Sequence, residues 1–280
     1  MDAATKKQLE LAAVKIRLGI IEGTYNAKSG HPGGSLSIAD LLSYLYFKEM
    51  NVDPADPKKE DRDRLVLSKG HAAPALYAAL ANRGYFPVED LKTLRKSDSY
   101  LQGHPNMNHI PGVDMSTGSL GQGISAACGF ALASKLQGDK YRVYAILGDG
   151  EIEEGQVWEA AMFAGAKKLS MLTVFVDNNN LQIDGTLEEV NSPYPIPEKF
   201  EAFGFNVIEI DGHDFDAIEA AVEAAKACAD KPTAVIMKTV KGKGVSYMEN
   251  AVNWHGAAPK QPDYETAMSE LNAAKAALEG

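Results

Sequence analysis

Two short polar stretches stand out for the chemistry their residues can perform. Gly148-Asp149-Gly150 follows the apolar run Val143–Leu147, and Asp177-Asn178-Asn179-Asn180 follows Met171–Val176. Asp149 and Asn179 are thirty positions apart, the length of one strand–helix–strand crossover. If those strands are neighbours, a carboxylate and an amide oxygen meet at one sheet edge. Hard oxygen donors carrying one negative charge suit Mg²⁺ or Ca²⁺ bound together with an anionic ligand. A diphosphate supplies the missing oxygens and balances the charge. The glycines beside Asp149 admit backbone N–H groups, and a helix after Gly155 adds its N-terminal dipole. Asp-Gly and Asn-Asn are also ordinary turn residues. On spacing alone, a metal–diphosphate site and two plain turns both stand.

Four of the six histidines lie among Gly, Pro and polar residues: His31 in Ser-Gly-His-Pro-Gly-Gly, His71 in Ser-Lys-Gly-His-Ala, His104 in Gln-Gly-His-Pro and His255 in Trp-His-Gly. A lone loop histidine is usually solvated, but four beside Gly or a strand end suggest one shared pocket. None forms an H-x-x-x-H pair on a helix, and no thiol or carboxylate lies at zinc spacing. That favours hydrogen bonds to substrate oxygens, or proton transfer near neutral pH, over a zinc site. His109 and His213 read as structural, with Asp214 after His213 as a helix N-cap.

Other phosphate-binding patterns are missing. There is no G-x-x-x-x-G-K-[ST], and Gly118-Ser-Leu-Gly121-Gln-Gly123 runs G-x-x-G-x-G after a loop, which disfavours a dinucleotide fold. Gly118–Gly123 still reads as a tight approach to a ligand before a helix. Glu151, Glu153 and Glu154 sit where carboxylates complement a helix N-terminus. Trp158–Phe163 reads as a core helix face and the lysines of Lys231–Lys243 as a solvated edge. Cys128 and Cys228, a hundred positions apart, read as small buried core residues in a reducing compartment.

The elements that position these residues alternate between helix and strand. Helical spacing runs through Leu9–Ile20, from an N-cap at Ser37 through Phe47, up to Arg83 with Gly84 as the stop, and over Gly123–Leu136, Val157–Leu169 and Phe215–Ala229. Short apolar strands are expected at Arg64–Leu67, Val143–Leu147, Met171–Val176, Asn206–Ile210 and Ala234–Val240, with one long loop over 98–123. Continuous apolar strands separated by helices predict an α/β fold, a mostly parallel sheet with helices on both faces. Ligands in such sheets bind beyond the C-terminal strand ends. The 280 residues, 45% hydrophobic and 24% charged, exclude a disordered or low-complexity chain. A net charge of −10 disfavours nucleic acid and anionic membrane as partners and leaves open a local basic pocket for a small anion. No run approaches the ~20 apolar residues of a membrane span, and Met1–Arg17 lacks a signal-peptide core, so the expectation is a soluble, cytoplasmic protein.

Taken together, the motifs resemble the transketolase family of thiamine diphosphate enzymes. The resemblance rests on Gly148-Asp149-Gly150 with Asn179 and on six segments in order: Lys28–Ala39 (KSGHPGGSLSIA), Ser68–Ala75 (SKGHAAPA), Gln102–Pro105 (QGHP), Pro111–Ser125 (PGVDMSTGSLGQGIS), Asp177–Gly185 (DNNNLQIDG) and Trp254–Ala257 (WHGA). It covers nearly the whole chain but only the family's N-terminal, diphosphate-binding domain. It implies a thiamine diphosphate-binding fold over 1–280 as one domain. Asp149 and Asn179 would bind Mg²⁺ (or Ca²⁺ or Mn²⁺) by side chain, and Leu181 by its carbonyl. Gly150 would offer its N–H to the diphosphate, with Gly118, Leu120, His71 and Glu151 bordering the cofactor. His31, His71, His104 and His255 would line the substrate channel as catalytic residues, and Glu154 would lie at a subunit interface.

The implied reaction moves a two-carbon ketol unit from a ketose (phosphate) to an aldose (phosphate), as in the pentose phosphate pathway. The family's pyrimidine-activating glutamate, its ring-stacking aromatics and its usual phosphate-binding arginines belong to other domains. The resemblance therefore implies the N-terminal subunit of a split transketolase, inactive alone, joined to a C-terminal subunit in an α2β2 heterotetramer. Three alternatives remain: the α subunit of a 2-oxo acid dehydrogenase, a 1-deoxyxylulose-5-phosphate synthase-like chain, and a non-catalytic cofactor-binding module. The histidine segments disfavour the first, SKGHAAPA and QGHP the second, and the filled ligand positions the third.

Overall fold

A computed structural model describes residues 1–280. Asp2 caps the first helix, α1 (Ala3–Ala27), accepting from Thr5 N at 2.9 Å, and Lys28 ends it in the left-handed conformation. Then come α2 (Pro32–Leu36), α3 (Ala39–Tyr44), β1 (Arg64–Leu67), α4 (Ala73–Arg83), α5 (Gly123–Gln137), β2 (Val143–Gly148) and α6 (Gly155–Ala166). The chain continues with β3 (Leu172–Asn178), α7 (Leu187–Val190), α8 (Ile196–Ala202), β4 (Asn206–Asp211), α9 (Phe215–Ala227), β5 (Thr233–Lys238) and α10 (Gln261–Glu279). No helix is long and apolar enough to cross a membrane.

The five strands form one parallel sheet in the order β1-β2-β3-β5-β4. Side chains alternate across each strand, so every strand feeds two cores. Leu65, Leu67, Tyr144, Ile146, Phe175, Val235 and Met237 point to one core. Val66, Val143, Ala145, Leu147, Val174, Val176, Ala234 and Ile236 point to the other. This is why the sequence shows continuous apolar runs rather than alternation. α9 carries Phe215, Ile218, Ala221 and Val222 at helical spacing into the first core, and α6 serves the second. The crossover β4→β5 runs opposite to β2→β3 and so covers the opposite face, as right-handed connections require.

Several expectations change in the structure. Ser37 is no N-cap: Pro32, pre-set for a first helical turn, starts a helix earlier, and Ser37 closes it in αR conformation. Its hydroxyl donates instead to Asp177 Oδ2 at 2.6 Å. The helix expected through Phe47 loosens after Tyr44 into a wide turn in which Met50 N donates to Leu45 O. Trp158–Phe163 is not wholly a core face, because Met162 is 59% and Phe163 39% exposed. Cys128 is buried but Cys228 is only partly so; both are free thiols. The long loop over 98–123 and the Asp214 cap, which accepts from Asp216 N, are as expected.

Candidate active site

The C-terminal ends of β1, β2, β3 and β5 open into one cavity of ≈ 420 Å³. Pairing of Gly148 with Asp177 puts the two polar stretches side by side. At the end of β2, the buried Asp149 accepts from Gly150 N (2.9 Å) on Oδ1 and from Asn178 Nδ2 (3.1 Å) and Asn180 N (2.6 Å) on Oδ2. Burial and the nearby charge of Asp177 push its carboxyl up to about 6, against those hydrogen bonds. Asn179 lines the cavity; its Oδ1 accepts from Leu181 N at 3.1 Å, and its Nδ2 donates to Asp177 Oδ2 at 3.1 Å.

Asp177, at the end of β3, is spent internally. Its Oδ2 accepts from Lys69 Nζ (2.5 Å) and Ser37 Oγ, and its Oδ1 from Thr239 Oγ1 (2.5 Å). Burial pushes this carboxyl up, but the Lys69 ammonium and these hydrogen bonds outweigh it and hold it below the ordinary value. Lys69 also donates to Gly34 O at 2.7 Å. A second buried lysine, Lys241, donates to Leu181 O at 2.8 Å and meets His255 Nδ1 at 2.8 Å. Burial lowers its ammonium to about 8, against the attraction of Asp149 and Asp177.

Three predicted histidines form a triangle, with ring centroids 5.1 Å (His31–His71), 5.5 Å (His31–His255) and 5.3 Å (His71–His255) apart. Burial holds them neutral: His31 falls to about 4, with the charges of Arg95, His104 and Lys241 adding, and His255 to about 3. His71 falls well below its ordinary value for the same first reason, with Lys69 next. His31 lines the cavity, and its Nδ1 is buried without a hydrogen-bond partner in the chain. His104 sits exposed at the mouth against Gly118. Gly118 has φ +151°, and a Cβ there would lie 3.0 Å from His104 Cγ.

Gly118, Leu120, Gly150, Glu151, Asn179 and Leu181 all reach the cavity wall. Glu151 does so with its carboxylate engaged: Oε1 accepts from Ser68 Oγ (2.5 Å) and Gly121 N (3.0 Å), and Oε2 from Gly148 N (3.0 Å). It ties the Gly118–Gly123 loop to the ends of β1 and β2. That loop's tight approaches are therefore partly to protein: a Cβ on Gly123 would sit 2.6 Å from Ser68 Cα. Glu154 lies outside the cavity, exposed at the start of α6. A 3-10 turn over Glu151–Glu153 separates the α6 N-terminus from Gly150, so the dipole expected from that helix is set back from the site. His109 is exposed in a different cleft.

The lysines are the main revision. Lys241 is 2% exposed, not part of a solvated edge, and Lys69 equally so. An anion here meets two buried ammonium groups as well as any metal. The signal in the sequence was slight: Lys69 directly follows a strand, and Lys241 stands in Lys-Gly-Lys-Gly. For a divalent cation the site offers one carboxylate, one amide oxygen and one carbonyl. No cluster of three His, Cys, Asp or Glu side chains suits a metal by itself. That donor set fits a hard cation that shares an anionic co-ligand, and the lysines fit a diphosphate.

Residues 9–276 match the family described as "Transketolase, thiamine diphosphate binding domain". The chain is 50% identical over 242 residues to the 6-deoxy-6-sulfo-D-fructose transketolase subunit SqwG of Clostridium sp. (strain MSTE9), covering 86% of this chain and 88% of that one. It is 42% identical over 264 residues to an apulose-4-phosphate transketolase subunit of Phocaeicola vulgatus, covering 94% of each. A transketolase variant from Pichia stipitis superposes with a TM-score of 0.90 at 33% identity, over 96% of this chain and 43% of that one. The transketolase of Campylobacter jejuni gives 0.87 at 32% identity, over 99% and 46%. The chain thus spans less than half the length of these solved transketolases. Nearly end-to-end identity and superposition establish that it belongs to the transketolase family, as a thiamine diphosphate-binding domain.

Proposed function

We propose that this chain is the diphosphate-binding subunit of a two-chain transketolase, one domain over 1–280 whose pyrimidine-binding and C-terminal domains reside on a separately encoded partner in an α2β2 assembly. The observation that carries this is the convergence of Asp149, Asn179, the Leu181 carbonyl, Lys69, Lys241 and the histidine triangle on one cavity. Support for the divided architecture comes from relatives named as subunits, whose length this chain nearly matches.

Asp149, Asn179 and the Leu181 carbonyl would hold Mg²⁺, or Ca²⁺ or Mn²⁺, and Gly150 N–H, Lys69 and Lys241 would hold the diphosphate. Bound thiamine diphosphate supplies the electron sink for cleaving a ketose C2–C3 bond. His31, His71 and His255, held neutral, would donate to or accept from sugar hydroxyls as uncharged rings; values so far below 7 do not suit the proton carriage near neutral pH that the sequence suggested. His104 would meet the sugar at the mouth, and Gly118 and Leu120 would border the cofactor. Glu151 would act by fixing the Gly118–Gly123 loop. Glu154, exposed outside the cavity, would contact the partner chain.

The substrate would be a ketose with a terminal anion, since phosphate and sulfonate sugars both occur in the relatives' names. Those names point beyond the pentose phosphates. The free thiols fit a cytoplasmic setting. Assaying the purified chain alone and mixed with its candidate partner, on ketose phosphate plus aldose and on pyruvate, tests the proposal. Ketol transfer should appear only in the mixture. Full transfer by the chain alone refutes the division of labour, and turnover of pyruvate only refutes the reaction class.

A further inference from the structure

The loop carrying Lys241 is gripped at both ends by side chains from distant parts of the fold. It turns tightly after β5: Lys243 N donates to Val240 O at 3.2 Å. Gly242 has φ +81°, and a Cβ there would lie 2.2 Å from Met248 O. Inside the turn, Gly242 N donates to Gly33 O (3.0 Å) and Asn250 N to Lys241 O (2.9 Å). At one end Val240 N donates to His213 Nε2 at 2.9 Å; at the other Arg17 Nε donates to Lys243 O at 3.0 Å.

These two side chains meet on Asp40. Arg17 reaches Oδ1 at 3.0 Å and Oδ2 at 2.5 Å, and His213 Nδ1 reaches Oδ2 at 2.7 Å. A backbone N–H can only donate, so Nε2 of His213 is the acceptor and Nδ1 carries the proton toward Asp40. Burial pushes the Asp40 carboxyl up, but the Arg17 charge and the His213 hydrogen bond hold it down at about 2. A buried ion pair is a weak source of net stability, because desolvation offsets the attraction. What this one provides is two fixed hydrogen-bonding termini for a single loop.

We propose that Arg17, Asp40 and His213 are positioning residues that hold the Lys241 loop in register, so that its ammonium stands at the Leu181 carbonyl and the His255 ring ready for a diphosphate. None of the three reaches the cavity wall. Lysine is a point charge on a flexible stem, so the backbone register decides where that charge sits. The inference rests on the reading of this cavity as a diphosphate site.

The test uses the full chain, with inorganic pyrophosphate and Mg²⁺ as the probe. His213→Asn keeps a donor for Asp40 but cannot reach Val240, whereas His213→Gln keeps an acceptor near the Nε2 position. Amide exchange over 239–244 in the unliganded chain should accelerate at least about ten-fold in His213→Asn and less than about three-fold in His213→Gln. Pyrophosphate affinity by calorimetry should fall about ten-fold in His213→Asn, as in Lys241→Met, and stay within about two-fold in His213→Gln. Should His213→Asn fail to fold, Arg17→Lys removes the Nε bond at the Lys243 end and should show the same pair of changes.

Unchanged exchange in His213→Asn overturns the clamp. Faster exchange with unchanged affinity overturns its link to Lys241, and equal losses in Asn and Gln variants reduce His213 to a fold residue. Absence of pyrophosphate binding by the unmodified chain refutes the diphosphate reading, while the exchange rates still decide the clamp.

Discussion

Asp149 and Asp177 end adjacent strands, are equally buried, and are treated in opposite ways by the fold. Asp177 receives an ammonium, two hydroxyls and an amide, so its charge is neutralised within the chain. Asp149 receives two backbone N–H groups and one amide, with no cation in contact. The first carboxyl is held below its ordinary value and the second pushed up to about 6. On the proposed function, a ligand would supply the counter-charge that Asp149 lacks within the chain, while Asp177 and Lys69 hold the scaffold around it. That difference distinguishes a carboxylate paired within the chain from one that the proposed function assigns to a metal and diphosphate.

The largest expected effect breaks the contrast from the structural side. Asp177→Ala leaves Lys69 buried without a counter-ion and strips the acceptor from Ser37, Thr239 and Asn179. The cost should be about 3–5 kcal/mol of unfolding free energy, read as a drop in the urea midpoint. A loss below about 1 kcal/mol would show that Lys69 finds another partner and that the two carboxylates are not so different.

The next effect comes from the side of the ligand. Mg²⁺ with pyrophosphate at about a hundred times the dissociation constant should stabilise the chain by about 2.7 kcal/mol. Asp149→Ala should abolish that gain, and Glu154→Ala, outside the cavity, should leave it intact. Thermal unfolding with and without the pair measures both. A Glu154 variant that behaves like the Asp149 variant would move the site boundary.

Most of the sheet was legible in the sequence because parallel strands are buried on both faces and read as uninterrupted apolar runs. The strand-end motifs were legible for the same reason: Asp149 and Asn179 had to lie at the ends of those runs, and one crossover of spacing made them neighbours. The lysines were not legible. Lys69 and Lys241 look like any surface lysine until the fold supplies Asp177, the Gly34 carbonyl and the Leu181 carbonyl, all distant in sequence. Ser37 misled for a related reason, since a serine before an apolar stretch reads as a cap and its partner lies 140 residues away. Local pattern reports local structure, and the charge pairing of this site is long-range.

The histidines sharpen the contrast at acid pH. Held neutral, they supply no cation to Asp149 at pH 7. His31 has a folded value near 4 against 6.5 unfolded. Between those values the unfolded chain takes up a proton that the folded chain refuses, so stability falls as pH drops from about 6.5 toward 4. Discounted for the ring's partial contact with water, His31 alone should account for about 1–2 kcal/mol of that loss. Denaturation midpoints across this range should decline less steeply in His31→Gln. An unchanged slope would mean that the triangle accommodates a proton, and with it a charge near Asp149.

The smallest effect has the most telling sign. Asp149→Asn in the metal-free chain removes a buried charge that has no contacting cation, and a shift of this size corresponds to roughly 3 kcal/mol at most. The amide still accepts from Asn178 and Asn180 through one oxygen, but its NH2 faces Gly150 N and loses that bond. Subtracting an unmade hydrogen bond of about 1–2 kcal/mol leaves a net gain of about 1 kcal/mol. Asp177→Asn, one strand away, should lose stability under the same conditions, because the amide cannot answer Lys69. Opposite signs for one substitution at paired strand ends would separate ligand site from scaffold without any substrate, and a loss at both positions would mean that Asp149 is already balanced within the fold.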